Sequence, residues 1–143
     1  NYAEWYKLPF AITYFYNVYG PGERAGSLGT LIEIFKQKFL KGETLTVVSP
    51  GTQRRNFTHV DDIVDGLIAV GEKGEGDDFG LGNVQDYSVL EIAQLFGGEI
   101  EMLPERQGNR MSGVVDTTKA ILLGWSPKRS IAEYIATIIS ARS

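Results

Sequence analysis

Residues 10–18, Phe10-Ala11-Ile12-Thr13-Tyr14-Phe15-Tyr16-Asn17-Val18, form an almost unbroken apolar and aromatic run. Such a stretch reads as a strand buried on both faces, the kind found inside parallel sheets, and parallel strands need crossover connections that are usually helical. The chain is therefore expected to be α/β. Leu8-Pro9 breaks an opening helix in residues 1–7, and Tyr19-Gly20-Pro21-Gly22 turns the chain after the run. Ligands of open α/β sheets gather beyond the carboxyl ends of the strands, which is where Asn17 falls. Its side chain either reaches such a ligand or ties down its own turn, and the sequence leaves both open.

Helices and strands then follow in turn. Leu28, Leu31, Ile32, Phe35 and Phe39 make a helical stripe, with Thr30 and Glu33 at capping-box spacing and Gly42 as the stop. Thr44-Leu45-Thr46-Val47-Val48 is short and β-branched, like a strand, and Ser49-Pro50-Gly51 ends it. Val60, Ile63, Val64, Leu67 and Ile68 share one helical face. They predict a helix over residues 60–72, capped by Thr58, with Asp61 and Asp62 in its first turn. The glycine-rich acidic run 71–78 reads as a loop and residues 79–83 as a short strand. Ser88 and Glu91 form a second capping box before a helix closed by Gly97-Gly98, and residues 99–103 alternate like a half-buried strand. Asp116 is read as the cap of a short helix to Leu123. Ser130 and Glu133 cap a last one with Ile131, Tyr134, Ile135, Ile138 and Ile139 on one face.

With 143 residues, 43% of them hydrophobic, the chain suffices for one domain with a real core. A net charge of -4 argues against a nucleic-acid or anionic-membrane surface, which needs clustered positive charge. The single histidine, His59, and the absence of cysteine leave few routes to a metal site and none to a thiol nucleophile. No apolar run approaches the roughly 20 residues of a membrane span, and lack of cysteine fits a cytoplasmic protein. Gly20-Pro21-Gly22-Glu23-Arg24-Ala25 formally matches a dinucleotide fingerprint. That reading is rejected, because Pro21 and Gly26-Ser27 delay the helix that the fingerprint needs to open inside the motif.

The most informative stretch is Gly51-Thr52-Gln53-Arg54-Arg55-Asn56-Phe57-Thr58, where two arginines stand just ahead of a helix start. Guanidinium forks match phosphate oxygens in pairs, and free helix amides add partial positive charge. The alternative is that one arginine pairs with Asp61 or Asp62. A second basic segment, Pro104-Glu105-Arg106-Gln107-Gly108-Asn109-Arg110, reads as a loop, and taken alone its arginines are ordinary solvated charge.

Three segments in register carry a resemblance. They are Leu8-Pro9 through Tyr16-Asn17-Val18-Tyr19-Gly20-Pro21-Gly22, then Gln53-Arg54-Arg55-Asn56-Phe57 with Val60-Asp61-Asp62, then Pro104-Glu105-Arg106-Gln107-Gly108-Asn109 with Asp116 and Leu123-Gly124-Trp125-Ser126-Pro127. Together the chain resembles the extended short-chain dehydrogenase/reductases that act on nucleotide sugars, and within them the NAD-dependent, UDP-glucose 4-epimerase-like branch. The resemblance implies that Arg55 and Arg106 grip the pyrophosphate of a nucleotide-sugar substrate. It places Asn17 beside the same group or the sugar, Asn109 near the nucleotide ribose, and Phe15 close to the nicotinamide of NAD. Asparagine replaces the family's aspartate at Asn56 and Asn109, and Ser49-Pro50 replaces its Gly-Asp. The family's glycine-rich cofactor loop and Tyr-x-x-x-Lys pair do not occur; the residue four before Lys7 is Ala3. The resemblance thus implies the C-terminal, substrate-binding part of such an enzyme, with the last strands of its Rossmann sheet and a small α/β subdomain. No catalytic residue is assigned, and most of the NAD site is expected outside these residues. Such a piece is expected to be inactive alone. Bare strand edges invite pairing with another chain, so a homodimer is expected. Dehydration, decarboxylation or reduction of the same substrate class, or a non-catalytic binding module, are the rival readings.

Overall fold

The structure, a computed structural model, describes residues 2–26, 29–105 and 115–142. In chain order it runs α1 (Tyr2–Tyr6), β1 (Ala11–Tyr14), β2 (Val18–Tyr19), α2 (Leu31–Lys41) and β3 (Leu45–Val48). There follow β4 (Arg54–Asn56), β5 (Thr58–His59), α3 (Val60–Lys73), β6 (Gly76–Gly80) and β7 (Asp86–Ser88). The remainder is α4 (Val89–Phe96), β8 (Ile100–Leu103), α5 (Thr118–Leu122) and α6 (Ile131–Arg142). The strands associate in pairs: β1 with β6, β2 with β5 and β3 with β8 are parallel, and β4 with β7 is antiparallel. The architecture is α/β, as the sequence implied.

Two apolar cores organise these elements. In the first, Ile32, Phe35 and Phe39 of α2 meet Leu45 and Val47 of β3, Ile92, Ala93 and Phe96 of α4, and Ile131, Ile135 and Ile138 of α6. Only Leu45 and Val47 of β3 point inward, the period-2 signature of a half-buried strand. α2 ends as expected, with Gly42 left-handed at φ 72° and the amides of Gly42 and Glu43 reaching back to the carbonyls of Phe39 and Lys38. Its expected capping box does not form. The Thr30 hydroxyl donates to Glu23 instead, and Glu33 is buried, accepting from Lys36 and Gln37. Leu28, placed on the same stripe, lies outside the described residues. The Ser88–Glu91 box does form, each side chain bonded to the other's backbone amide at 3.0 and 2.7 Å.

In the second core, Ile63 and Val70 of α3 pack with Phe79, Leu81, Ala120 and Trp125. The apolar stripe predicted for α3 is rotated. Gly66 faces inward, where a Cβ would lie 2.7 Å from the Leu81 side chain and 3.0 Å from the Trp125 indole nitrogen. The lack of a side chain lets the helix approach there, so Ile63, Gly66 and Val70 close the core while Val64, Leu67 and Ile68 stay exposed. The expected 71–78 loop is mostly regular: α3 continues to Lys73 and β6 already begins at Gly76, earlier than the strand read at 79–83.

The opening run departs furthest from expectation. It is two short strands with a bend between them, because Asn17 adopts φ 49°, a left-handed conformation that asparagine tolerates better than most residues. It is also not buried: Phe10, Ile12, Tyr14, Phe15 and Tyr16 are exposed, as are Tyr2, Trp5 and Tyr6 of α1. Among the described residues β1 pairs only with β6, so one edge and much of one face have nothing to pack against.

Candidate functional site

The two cores meet at the arginine stretch, where short strands bring distant parts of the chain together. β2 lies parallel to β5, with Val18 opposite Thr58 and Tyr19 opposite His59, and the Thr58 amide donates to the Asn17 carbonyl at 3.3 Å. The backbone of the expected ligand residue Asn17, just ahead of β2, is thus tied to Thr58, three residues along the chain from Arg55. A cleft of about 520 Å³ opens at the ends of β1 and β6, lined by Tyr14, Tyr16, Asp78, Gly80, Val115, Asp116 and Lys119.

The adjacent arginines have different fates, because successive side chains of a strand leave on opposite faces. Arg54 bonds the Asp86 carboxylate at 2.9 Å and lies 3.2 Å from Glu91. Its hydrogen bond to Asp86 raises the Arg54 pKa and lowers that of Asp86. Glu91 is held below its usual range chiefly by the Ser88 amide, and by Arg54 as well. Arg54 is therefore a neutralised, structural cation. Arg55, opposite Tyr87 in the β4–β7 pair, is half-buried, and its hydrogen-bond partner among the described residues is the neutral amide of Gln53 at 3.3 Å. Among the described residues no carboxylate pairs with it.

The helix that follows is capped differently from expectation. Thr58 is fully buried and its hydroxyl accepts the Asn83 amide at 2.9 Å, so it is not available to α3. His59 takes the N-cap instead, Nδ1 accepting from the Asp61 amide at 3.1 Å while its ring packs edge-on against Tyr19. Burial pushes the Tyr19 hydroxyl far above its ordinary value. An arginine does pair with Asp62, but it is Arg129, which periodicity had not singled out. Asp62 is 1% exposed. It accepts from the amides of Lys128 and Arg129 at 3.0 and 2.9 Å and from the Arg129 guanidinium at 2.6 Å. The Asp62 carbonyl also receives the Trp125 indole N–H at 2.8 Å. That arrangement bolts the start of α3 to the approach of α6 and leaves Arg55 free of the nearby aspartates.

Arg106 and Asn109, the other two expected substrate contacts, lie outside the described residues. Phe15 sits just beyond β1 and presents a ring that is 40% exposed. Among the described residues no group of acidic or histidine side chains could hold a metal ion, and no helix is long and apolar enough to cross a membrane.

Comparison with known proteins fits this geometry. Residues 1–82 match the model of the NAD dependent epimerase/dehydratase family. The chain belongs to the NAD-dependent epimerase/dehydratase family. Among curated relatives, UDP-glucuronic acid decarboxylase 1 of Xenopus tropicalis is 36% identical over 119 residues, covering 78% of this chain and 28% of the relative. UDP-glucose 4-epimerase of Mycolicibacterium smegmatis is 31% identical over 131 residues, 86% of this chain and 42% of the relative. The solved UDP-glucose 4-epimerase of Thermotoga maritima with UDP-glucose superposes with a TM-score of 0.88 at 28% identity, over 97% of this chain and 47% of that one. This epimerase/dehydratase-family chain thus spans less than half the length of the relatives it matches. Its fold is the one the resemblance implied, strands of a Rossmann-type sheet beside a small α/β subdomain.

Proposed function

We propose that residues 1–143 are the nucleotide-sugar-binding part of an NAD-dependent nucleotide-sugar epimerase that works as a homodimer. The observation that carries this reading is the contrast between neighbours: Arg54 is neutralised by Asp86 and Glu91, whereas Arg55 hydrogen-bonds only the neutral Gln53 among the described residues. A half-buried guanidinium without an acidic partner among the described residues suits a diphosphate, which offers paired oxygens and negative charge without requiring contact to the base. Arg106 is the second proposed grip on the same group, Asn17 lies beside it, and Asn109 serves the ribose. Holding the substrate by its diphosphate leaves the sugar itself free to turn.

The chain's own fit to NAD is limited to an apolar contact. Phe15 offers an exposed ring past the end of β1, suited to the nicotinamide face. Gly20 and Gly22 form no cofactor cradle, since the next helix opens only at Leu31. NAD would be held chiefly by polypeptide outside these residues, and when bound it supplies the hydride acceptor and donor that allow a ring carbon to be oxidised and re-reduced. Decarboxylation is the second reading, favoured by the 36% identity to UDP-glucuronic acid decarboxylase 1.

The test has two parts. Titration calorimetry with UDP is expected to show Arg55→Gln weakening binding by about tenfold or more, the loss of a charge-assisted hydrogen bond. Arg54→Gln should leave the affinity unchanged, and the reverse order would refute the assignment. Product analysis of the full-length enzyme decides the reaction: an epimerase preserves the sugar's formula, whereas a decarboxylase releases carbon dioxide from a uronic acid.

A further inference from the structure

β4 is three residues long and pairs with a three-residue strand, too little to fix the direction of a long side chain by itself. Arg55 has no carboxylate among the described residues to aim it. Two residues that follow it, Asn56 and Thr58, are instead tied by their side chains to one position. The Asn56 side-chain Nδ2 donates to the Asn83 backbone carbonyl at 2.6 Å, and the Asn83 backbone N–H donates to the Thr58 hydroxyl at 2.9 Å.

Asn83 is itself held by its side chain. Its Oδ1 accepts the Gln85 amide at 3.1 Å, closing the turn between β6 and β7, and its Nδ2 donates to the Arg129 carbonyl at 3.4 Å. Arg129 in turn is immobilised by Asp62 through its own amide and guanidinium. A path of hydrogen bonds therefore runs from the buried carboxylate of α3, through Arg129 and the Asn83 amide, to the side chains of Asn56 and Thr58, which follow Arg55 in the chain.

We propose that Asn83 is the positioning residue for Arg55. It touches no ligand; it holds residues 56–58, just after Arg55, so that the Arg55 guanidinium points where a diphosphate is bound. This rests on the reading of Arg55 given above.

A double-mutant cycle in the purified protein tests it, with UDP as the probe in titration calorimetry. Asn83→Ala is expected to weaken UDP binding by about tenfold when Arg55 is present, the worth of roughly one well-aimed hydrogen bond. In the Arg55→Gln background it should cause no further loss. Asn83→Asp, which keeps the acceptor for Gln85 and gives up only the donor to Arg129, should recover part of the affinity. If Asn83→Ala does not fold, Asn56→Ala cuts the same path from the other end and should show the same dependence on Arg55. Equal losses in both backgrounds, or no loss in either while Arg55→Gln is defective, would overturn the positioning role. An unchanged affinity in Arg55→Gln itself would instead bring down the diphosphate reading, and the role of Asn83 with it.

Discussion

Replacing Asp62 by alanine gives the sharpest test of how the two cores are joined. Its carboxylate is 1% exposed and accepts three hydrogen bonds, two from the backbone amides of Lys128 and Arg129 and one from the Arg129 guanidinium at 2.6 Å. The Arg129 side chain is 42% exposed, so a released guanidinium can rehydrate, and its loose contacts with Asp61 and Asp65 contribute little. Most of the cost then falls on two part-buried amides left without an acceptor, each worth about 1–3 kcal/mol. We expect Asp62→Ala to destabilise by about 3 kcal/mol, which for a chain of this size lowers Tm by about 10 °C. Arg129→Gln, which leaves both amides satisfied, should cost about 1–2 kcal/mol. Urea unfolding is the assay, followed in a Trp5→Phe background so that the emission comes from buried Trp125, whose indole N–H bonds the Asp62 carbonyl. A loss below about 1 kcal/mol for Asp62→Ala, or a larger loss for Arg129→Gln, would show that the carboxylate is not the anchor.

Two further outcomes follow from the packing and the caps. Gly66→Ala should destabilise by about 1–3 kcal/mol, because the new methyl group meets the buried Leu81 and the Trp125 indole; unaltered unfolding in urea would contradict the close approach of α3. Ser88→Ala should cost about 1 kcal/mol at neutral pH through loss of the α4 cap, measured by the same unfolding. Glu91 is held below its ordinary value of 4.5 by the Ser88 amide, so its contribution is present above that value and fades as pH falls through the lower folded one. The destabilisation caused by Glu91→Gln, which removes that carboxylate, should therefore shrink in acid, and one that grows would be the wrong sign.

How far the sequence could be read depended on whether the decisive contacts were local. The α4 cap was legible because Ser88 and Glu91 need only each other's backbone. The same spacing at Thr30 and Glu33 misled, since Glu23, seven residues away, drew off the threonine hydroxyl. Thr58 looked like the cap of α3 until Asn83 claimed it from 25 residues further along. Periodicity placed the α3 stripe one step round the helix because it counts apolar side chains, whereas the contact is made at Gly66, which has none. For the site, Asn17 and the Arg54–Arg55 pair were legible as residues, but which arginine stays uncompensated depends on Asp86 and Glu91, more than 30 positions away. Arg129 carried no local signal at all, being paired with a carboxylate 67 residues earlier. A proposed partner of Asn17 and Arg55, Arg106, falls outside the described residues.

The split between Arg54 and Arg55 has a consequence for reading kindred sequences. Because the two side chains are separated only by the alternation of a strand, deleting or inserting one residue in the Thr52-Gln53 lead-in would trade their places while leaving the letters Arg-Arg intact. The guanidinium that had been locked to Asp86 would then take the face proposed for the substrate, and the one proposed to bind it would be neutralised. Matching the dipeptide alone therefore says nothing about nucleotide affinity unless the distance from Gly51 is also preserved.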